Sequence, residues 1–161
     1  MGKELLLEIG TEEIPAGFLP KACRDMDEMI RREFATARIA HGQVRTMATP
    51  RRLVLYVEGV AERQEDQVIE KMGPARKVAY DDKGNPTKAA LGFARGQGID
   101  LCDMETIRTD KGEYLFARKR IPGGRTADLL PDLLARFIPA IPFRKSMRWS
   151  DLSLRFARPI H

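Results

Sequence analysis

The chain has 161 residues, a formal net charge of +5, and 43% apolar against 32% charged residues. This balance excludes a disordered chain, and the length is sufficient for one sizeable hydrophobic core. No apolar run approaches the roughly 18–20 residues of a membrane helix, and the N-terminus lacks the pattern of a signal peptide. We therefore expect a cytoplasmic protein without membrane contact.

The basic excess lies in the second part of the chain. Residues 1–100 hold sixteen basic and sixteen acidic side chains, whereas residues 101–161 hold twelve basic and seven acidic ones. An excess of positive charge favours contact with a polyanion such as RNA.

The first predicted elements form a strand, a helix and two more strands. The apolar run Glu4–Ile9 predicts a buried strand. Apolar residues every three or four positions predict an amphipathic helix over Pro20–Ile39, with Gly42 suited to its C-terminal cap. Alternating apolar residues then predict strands over Val44–Thr49 and Arg52–Val60.

The middle of the chain is predicted to alternate strands, turns and a helix. Gln67–Met72 and Val78–Tyr80 are predicted as short strands. The composition of Asp81–Pro86 is typical of a turn. Thr87–Gly98 is predicted to be a helix, with Thr87 as its N-cap and glycines at its end.

The last third is predicted to contain a hairpin, a helix and a final strand. Glu105–Arg108 and Glu113–Ile121 form the hairpin around TDKG. Thr126–Ile138 has the apolar stripe of a helix. In the basic tail, apolar residues alternate with polar ones as in a half-buried strand, at Leu152, Leu154 and Phe156.

Helices interleaved with hairpins predict an α+β fold, with mixed, largely antiparallel sheets and about three helices packed against them. The final Arg-Pro-Ile-His does not resemble a domain end, so we expect residues 1–161 to be part of a longer chain. A sub-boundary is predicted near residues 73–77, at Gly-Pro.

The segment IGTEEIP, residues 9–15, joins the first strand to the first predicted helix. Thr11 is predicted to cap the first helical turn, and Glu12 and Glu13 then lie at the positive end of the helix dipole. Contact with a partner or with RNA is an alternative interpretation. A metal-dependent hydrolase using Glu8, Glu12 and Glu13 with Mg²⁺ is a third, although adjacent carboxylates on a loop diverge.

Motifs for catalysis or for a structural metal are not found in the sequence. There is no phosphate loop, no G-x-S-x-G and no H-E-x-x-H. Cys23 and Cys102 lack zinc-ligand spacing, and we expect both to be buried, reduced thiols. We therefore predict no catalytic residue, no metal site and no cofactor within this chain.

Basic residues suggest RNA contact at three places. Arg51 and Arg52 enter a strand, and the run 118–120 ends another. The tail interleaves Trp149 and Phe156 with five basic residues: Arg144, Lys145, Arg148, Arg155 and Arg158. Guanidinium groups bind phosphates, and aromatic rings stack on exposed bases. The same pattern is also typical of an ordinary solvated strand face.

Six segments occur in an order that resembles a known family. They are LLLEIGTEEIP, ATPRRLVLYV, EKMGPA, DDKGNPTKAALGFARGQGI, TDKGEYL and MRWSDLSLRFARPIH. Together they resemble the N-terminal portion of the β subunit of the bacterial tetrameric glycine–tRNA ligase. The resemblance covers Lys3 to His161, and the family's β subunit is several times longer.

The resemblance implies an α2β2 enzyme that joins glycine to tRNA(Gly) using ATP with Mg²⁺, in which the α subunit activates glycine. It implies that this chain supports tRNA binding and subunit assembly without activity of its own. Docking on the α subunit without RNA contact is the alternative. The basic residues within or beside the resembling segments are the candidate tRNA contacts: Arg51, Arg52, Lys111, Lys145, Arg148 and Arg158.

Overall fold

A computed structural model describes residues 2–148 and 153–161. Its strands and helices are β1 (Lys3–Gly10), α1 (Leu19–Thr36), β2 (Val44–Thr49), β3 (Arg52–Val60), β4 (Gln67–Ala75), α2 (Arg76–Ala79), α3 (Lys88–Gln97), β5 (Glu105–Thr109), β6 (Gly112–Ile121) and α4 (Thr126–Ala140). Single 3₁₀ turns lie at Ala16–Phe18 and Leu101–Asp103. The chain divides into two compact units, the second of which is Asp66–Pro122.

The first unit is built on an antiparallel sheet with the order β1-β3-β2. The apolar face of α1 recurs every fourth residue, and its members are buried: Ala22, Met26, Ile30 and Phe34. They share one core with one face of β3 and with α4, through Leu53, Leu55, Val57, Leu133 and Phe137. Burial of these side chains is the main stabilising contribution to this unit.

The end of α1 differs from the predicted one. The Ile39 amide donates to the Phe34 carbonyl at 2.9 Å and the Arg38 amide to the Ala35 carbonyl at 3.1 Å. This is the paired bonding of a Schellman cap, with Arg38 in the left-handed conformation at φ 54°. The predicted cap at Gly42 was wrong, because its amide instead donates to the carbonyl of Glu58 in β3.

The second unit is built on a separate antiparallel sheet with the order β4-β6-β5. Its buried cluster is small and contains Ala79, Ala90 and Leu115. Residues 73–77 lie within this unit, at the junction of β4 and α2. β4 continues past Met72 through an irregular step in its pairing with β6.

Two predicted strands were wrong. Residues 78–79 belong to the four-residue helix α2, and Tyr80 makes only an isolated bridge to Pro86. In the tail, Phe156 pairs with Met147 as an isolated bridge, and Leu152 lies outside the described residues. Short apolar runs do not distinguish strands from other buried segments, so long-range contacts decided both cases.

The α+β prediction is confirmed. All strand pairings within the two sheets are antiparallel, and the described residues include three helices of ten or more residues beside the short α2. The hairpin at 105–121 and the turn at 81–86 are also confirmed. Cys102 is exposed and Cys23 half-buried, so the expected burial of both thiols was wrong. Among the described residues no helix has the length and apolar character to cross a membrane.

Gln64 ties three parts of the first unit together. Its side-chain amide donates to the Ala37 carbonyl at 2.6 Å, at the end of α1. Its side-chain oxygen accepts the Gly124 amide at 3.1 Å, and its own amide donates to the Gly124 carbonyl at 2.9 Å. Gly123 therefore lies directly against the Gln64 backbone, where a Cβ would approach the carbonyl oxygen to 1.9 Å.

We expect Gly123→Ala to lower the free energy of unfolding by about 2–3 kcal/mol, because a backbone segment must move to admit the methyl group. Gly92→Ala is the control, since nothing lies within 4 Å of a Cβ added there. It should raise stability by about 0.5–1 kcal/mol through helix propensity. Urea denaturation of both variants measures the difference, and equal effects would contradict the packing of Gly123.

Candidate nucleic-acid interface

Residues 10–14 are held by a turn between β2 and β3. The Thr11 amide donates to the Arg51 carbonyl at 3.0 Å, and the Ile14 amide donates to the Pro50 carbonyl at 2.7 Å. Ile14 is fully buried. The IGTEEIP segment thus packs onto the Pro-Arg-Arg turn, where Arg51 lies 40 residues after Thr11 in the sequence.

The last residues of the chain also form hydrogen bonds with residues 10–14. The Glu12 amide donates to the Pro159 carbonyl at 2.9 Å, and the His161 amide donates to the Gly10 carbonyl at 3.1 Å. Thr11 forms an isolated bridge with Ile160. We call residues 10–14, 50–52 and 158–161 the junction cluster.

Three predicted contact residues lie in the junction cluster. Arg158 is half-buried, and its guanidinium donates to the Glu13 carbonyl at 3.2 Å and to the Ala157 carbonyl at 2.9 Å. Arg158 therefore positions the backbone of the cluster. Arg51 is exposed, and its carbonyl accepts the Thr11 amide, so its side chain projects from an anchored turn.

Arg52 is balanced by an acidic neighbour. Its guanidinium lies 3.7 Å from the Glu8 carboxylate, and both side chains are about half exposed, at 58% and 48%. An ion pair of this exposure contributes little to stability, so Arg52 remains able to exchange Glu8 for a phosphate. Arg51 has no ion pair with another described residue, which makes it the freest cation of the cluster.

The remaining predicted contacts lie elsewhere. Lys145 and Arg148 are both exposed on the segment that follows α4. Lys111 lies in the second unit, in the hairpin turn between β5 and β6. Phe156, expected to flank bases, is buried and packs edge-on against Phe143 with centroids 5.0 Å apart. Trp149, the other predicted aromatic, lies outside the described residues.

Each side chain of the run 118–120 has a partner within the second unit. Arg118 pairs with Glu70 at 3.0 Å, and Arg120 pairs with Asp66. Lys119 donates to the Gln97 carbonyl at 3.3 Å. These three cations are therefore engaged in contacts within the fold.

The predicted capping role of Thr11 was wrong. The first helical turn begins at Ala16 and α1 begins at Leu19, so Glu12 and Glu13 precede the helix as exposed residues. The physical reason is that Thr11 pairs with Ile160 in an antiparallel bridge, which continues the extended backbone of β1, and residues 12–15 are not helical either. Long-range pairing of this kind leaves no local pattern in the sequence.

Acidic residues in the described part of the chain do not cluster as metal ligands. Among residues 2–148 and 153–161, no group of three or more His, Cys, Asp or Glu side chains is placed to hold a metal ion. Glu8 instead faces Arg52.

The comparisons with known proteins place these features in a family of aminoacyl-tRNA synthetase subunits. The family model described as the glycyl-tRNA synthetase beta subunit matches residues 5–161. The chain is 61% identical to the glycine–tRNA ligase beta subunit of Syntrophus aciditrophicus and 62% identical to that of Citrifermentans bemidjiense. Each match covers all of this chain and 23% of the relative.

The chain belongs to the glycyl-tRNA synthetase beta subunit family. The predicted resemblance is thereby confirmed. The chain spans about a quarter of the length of the curated relatives that it matches, at 23%.

Thr11 provides a test of the junction cluster. Its side chain is fully buried, and its hydroxyl has no hydrogen-bond partner among the described residues. Thr11→Val keeps the shape and removes the unsatisfied hydroxyl, so we expect it to raise the free energy of unfolding by about 1 kcal/mol. A helix-capping role would predict a loss of similar size, so the sign of the change in chemical denaturation decides between the two.

Proposed function

We propose that the chain is the N-terminal module of the β subunit of the tetrameric glycine–tRNA ligase and supports tRNA binding and subunit assembly. In the whole enzyme, ATP, glycine and tRNA(Gly) give glycyl-tRNA(Gly), AMP and diphosphate, with ATP used together with Mg²⁺. The partners are the α subunit, in an α2β2 assembly, and tRNA(Gly), in the cytoplasm. Glycine activation is assigned to the rest of the enzyme, and this chain alone is inactive.

The family match over residues 5–161 is the observation that carries this proposal. The junction cluster supports the RNA-binding part of it. Arg51 and Arg52 stand at a turn whose backbone is anchored by hydrogen bonds from residues 11 and 14. An anchored turn loses little conformational entropy when it binds a phosphate, and this preorganisation favours affinity.

The role of Arg158 in this proposal is to position the other groups. Its guanidinium holds the Glu13 carbonyl, and its neighbour Pro159 accepts the Glu12 amide. Both contacts hold the backbone of Glu12 and Glu13 in the conformation that leaves their side chains exposed. Arg51 and Arg52 would then make the direct phosphate contacts.

We expect Arg51→Glu in the full-length ligase to weaken tRNA(Gly) binding about tenfold at low salt. Loss of one phosphate contact should also reduce the slope of log affinity against log salt by about 1. Arg32→Glu is the matched control, because Arg32 is exposed on α1 and the charge change is identical. A salt titration by fluorescence anisotropy measures both quantities.

An equal effect of Arg51→Glu and Arg32→Glu would mean that only net charge matters, which contradicts a contact at the junction cluster. Binding of tRNA by the parent enzyme without any salt dependence would contradict the electrostatic account as a whole.

The alternative function, docking on the α subunit without RNA contact, is favoured by the outer face of the first sheet. Leu6 of β1 is 61% exposed and lies opposite Tyr56 of β3. Met47 of β2 is 54% exposed and lies opposite Val54 of β3. These side chains form an apolar strip on the face opposite the core, and exposed apolar strips of this kind are typical of protein interfaces.

If this strip docks on the α subunit, Leu6→Asn should weaken the association of the subunits about tenfold, which corresponds to roughly 1.4 kcal/mol. Leu91→Asn on α3 is the control, because it changes the same exposed residue type in the second unit. Analytical ultracentrifugation without tRNA measures the association. If Leu6→Asn leaves the association of the α and β subunits unchanged, the apolar strip no longer supports docking on the α subunit.

A further inference from the structure

The second unit contains a broad groove of its own, formed by residues outside the junction cluster. Its volume is about 1060 Å³, and it is lined by α2, by the turn at residues 81–84 and by the β5–β6 hairpin. We call it the hairpin groove. This volume lies at the upper end of the range of about 300–1,000 Å³ that is typical of small-molecule pockets. The groove is also open to solvent, so a ligand longer than a small molecule can lie along it.

Four basic side chains from three chain segments line the hairpin groove. Arg76 and Lys77 come from α2, Arg108 from β5, and Lys111 from the hairpin turn. Lys111 is the only one of the four that was predicted as a contact, and Arg76 and Lys77 lie 35 and 34 positions before it in the numbering. The fold therefore creates a basic cluster that no continuous stretch of sequence contains.

Two of the three acidic residues in the groove already have partners. Glu113 binds Arg76 with an oxygen–nitrogen distance of 2.9 Å. Asp81 accepts backbone amides of Asn85 at 2.7 Å and Lys83 at 2.9 Å, which close the turn. The backbone hydrogen bond from Asn85, followed by one from its side chain, lowers the pKa of Asp81 and keeps the carboxylate ionised in this structural role.

Three of the four cations are left without an internal counter-ion. Lys77, Arg108 and Lys111 form no ion pair with another described residue, and Arg108 lies across the ladder from Glu113, which Arg76 already binds. Asp82 is the one groove acid without a described partner. Positive charge in excess of the available acids favours an anionic ligand.

The segments that carry these cations are held in place. In the hairpin, Thr109 pairs with Gly112. The Thr109 hydroxyl donates to the Gly112 carbonyl at 3.0 Å and accepts the Lys111 amide at 3.3 Å. Gly112 has φ 124°, a conformation that favours glycine. On the other side, Tyr80 is half-buried against the small core and also lines the groove.

We infer that the hairpin groove binds the sugar–phosphate backbone of tRNA, with Lys77, Arg108 and Lys111 contacting phosphates and Tyr80 lying beside a ribose or base. Arg76, fixed by Glu113, positions this side of the groove. A flat aromatic ring beside several unpaired cations is the combination that RNA segments bind. This inference rests on the proposed function and adds a second RNA contact to the one at the junction cluster.

The test uses the full-length ligase and fluorescently labelled tRNA(Gly) over a range of salt concentrations. Lys77→Glu and Lys111→Glu should each weaken binding about tenfold at low salt and lower the log–log salt slope by about 1. The neutral variants Lys77→Gln and Lys111→Gln should show a smaller loss in the same direction. Lys88→Glu, at the first residue of α3 and outside the groove, should leave binding unchanged.

Thermal unfolding of each variant separates loss of binding from loss of folding. The groove inference is overturned if the parent enzyme binds tRNA and Arg51→Glu weakens this binding, but the Lys77 and Lys111 variants do not. The proposed function then still stands. A parent enzyme that shows no salt-dependent tRNA binding overturns the proposed function instead.

The phosphate groups of ATP and inorganic phosphate have the same chemistry as the tRNA backbone and are the alternative ligands for the hairpin groove. ATP and inorganic phosphate are therefore titrated against the labelled tRNA, in the parent and in Lys111→Glu. The inference expects neither to displace tRNA from the groove at millimolar concentration. Displacement by ATP that is lost in Lys111→Glu would show a nucleotide site and would overturn the assignment to tRNA.

Discussion

Backbone hydrogen bonding within the junction cluster is the constraint on which the rest of the first unit depends. Peptide groups that are removed from water must find partners, and the amides of Thr11, Glu12 and Ile14 find them on carbonyls of Arg51, Pro159 and Pro50. Thr11 also pairs with Ile160 in an antiparallel bridge, so its backbone is extended and the first helical turn begins later, at Ala16. The same bonds set the positions from which Arg51 and Arg52 project.

Cations in both units fall into two groups according to their partners. Arg158 and Arg76 have their guanidinium groups engaged, by backbone carbonyls and by Glu113 respectively, and they hold local structure. Arg51, Lys77 and Lys111 have no ion pair among the described residues and stand on anchored turns or short helices. Most of the proposed RNA contacts belong to the second group, because a cation that already has a close partner gains less from a phosphate. Arg52 is the exception, since its ion pair with Glu8 is 3.7 Å long and about half exposed and is readily exchanged.

The six segments that carry the family resemblance are brought together in two places. IGTEEIP, the ATPRR turn and the final ARPIH meet in the junction cluster. Residues of EKMGPA, DDKGNP and TDKGEYL line the hairpin groove. Each place combines segments that are far apart in the sequence, so the resemblance could identify the family without indicating that its motifs form these surfaces.

Local patterns in the sequence determined most of the secondary structure. The stripe of α1, the alternation of β2 and β3, the TDKG hairpin and the family itself were all predicted, because side-chain periodicity and turn chemistry act over a few residues. The tertiary structure decided the conformation of Thr11, the burial of Phe156 and the gathering of Lys77, Arg108 and Lys111. Those features depend on contacts between segments distant in the chain, and such contacts leave no periodic signal in any one stretch of sequence.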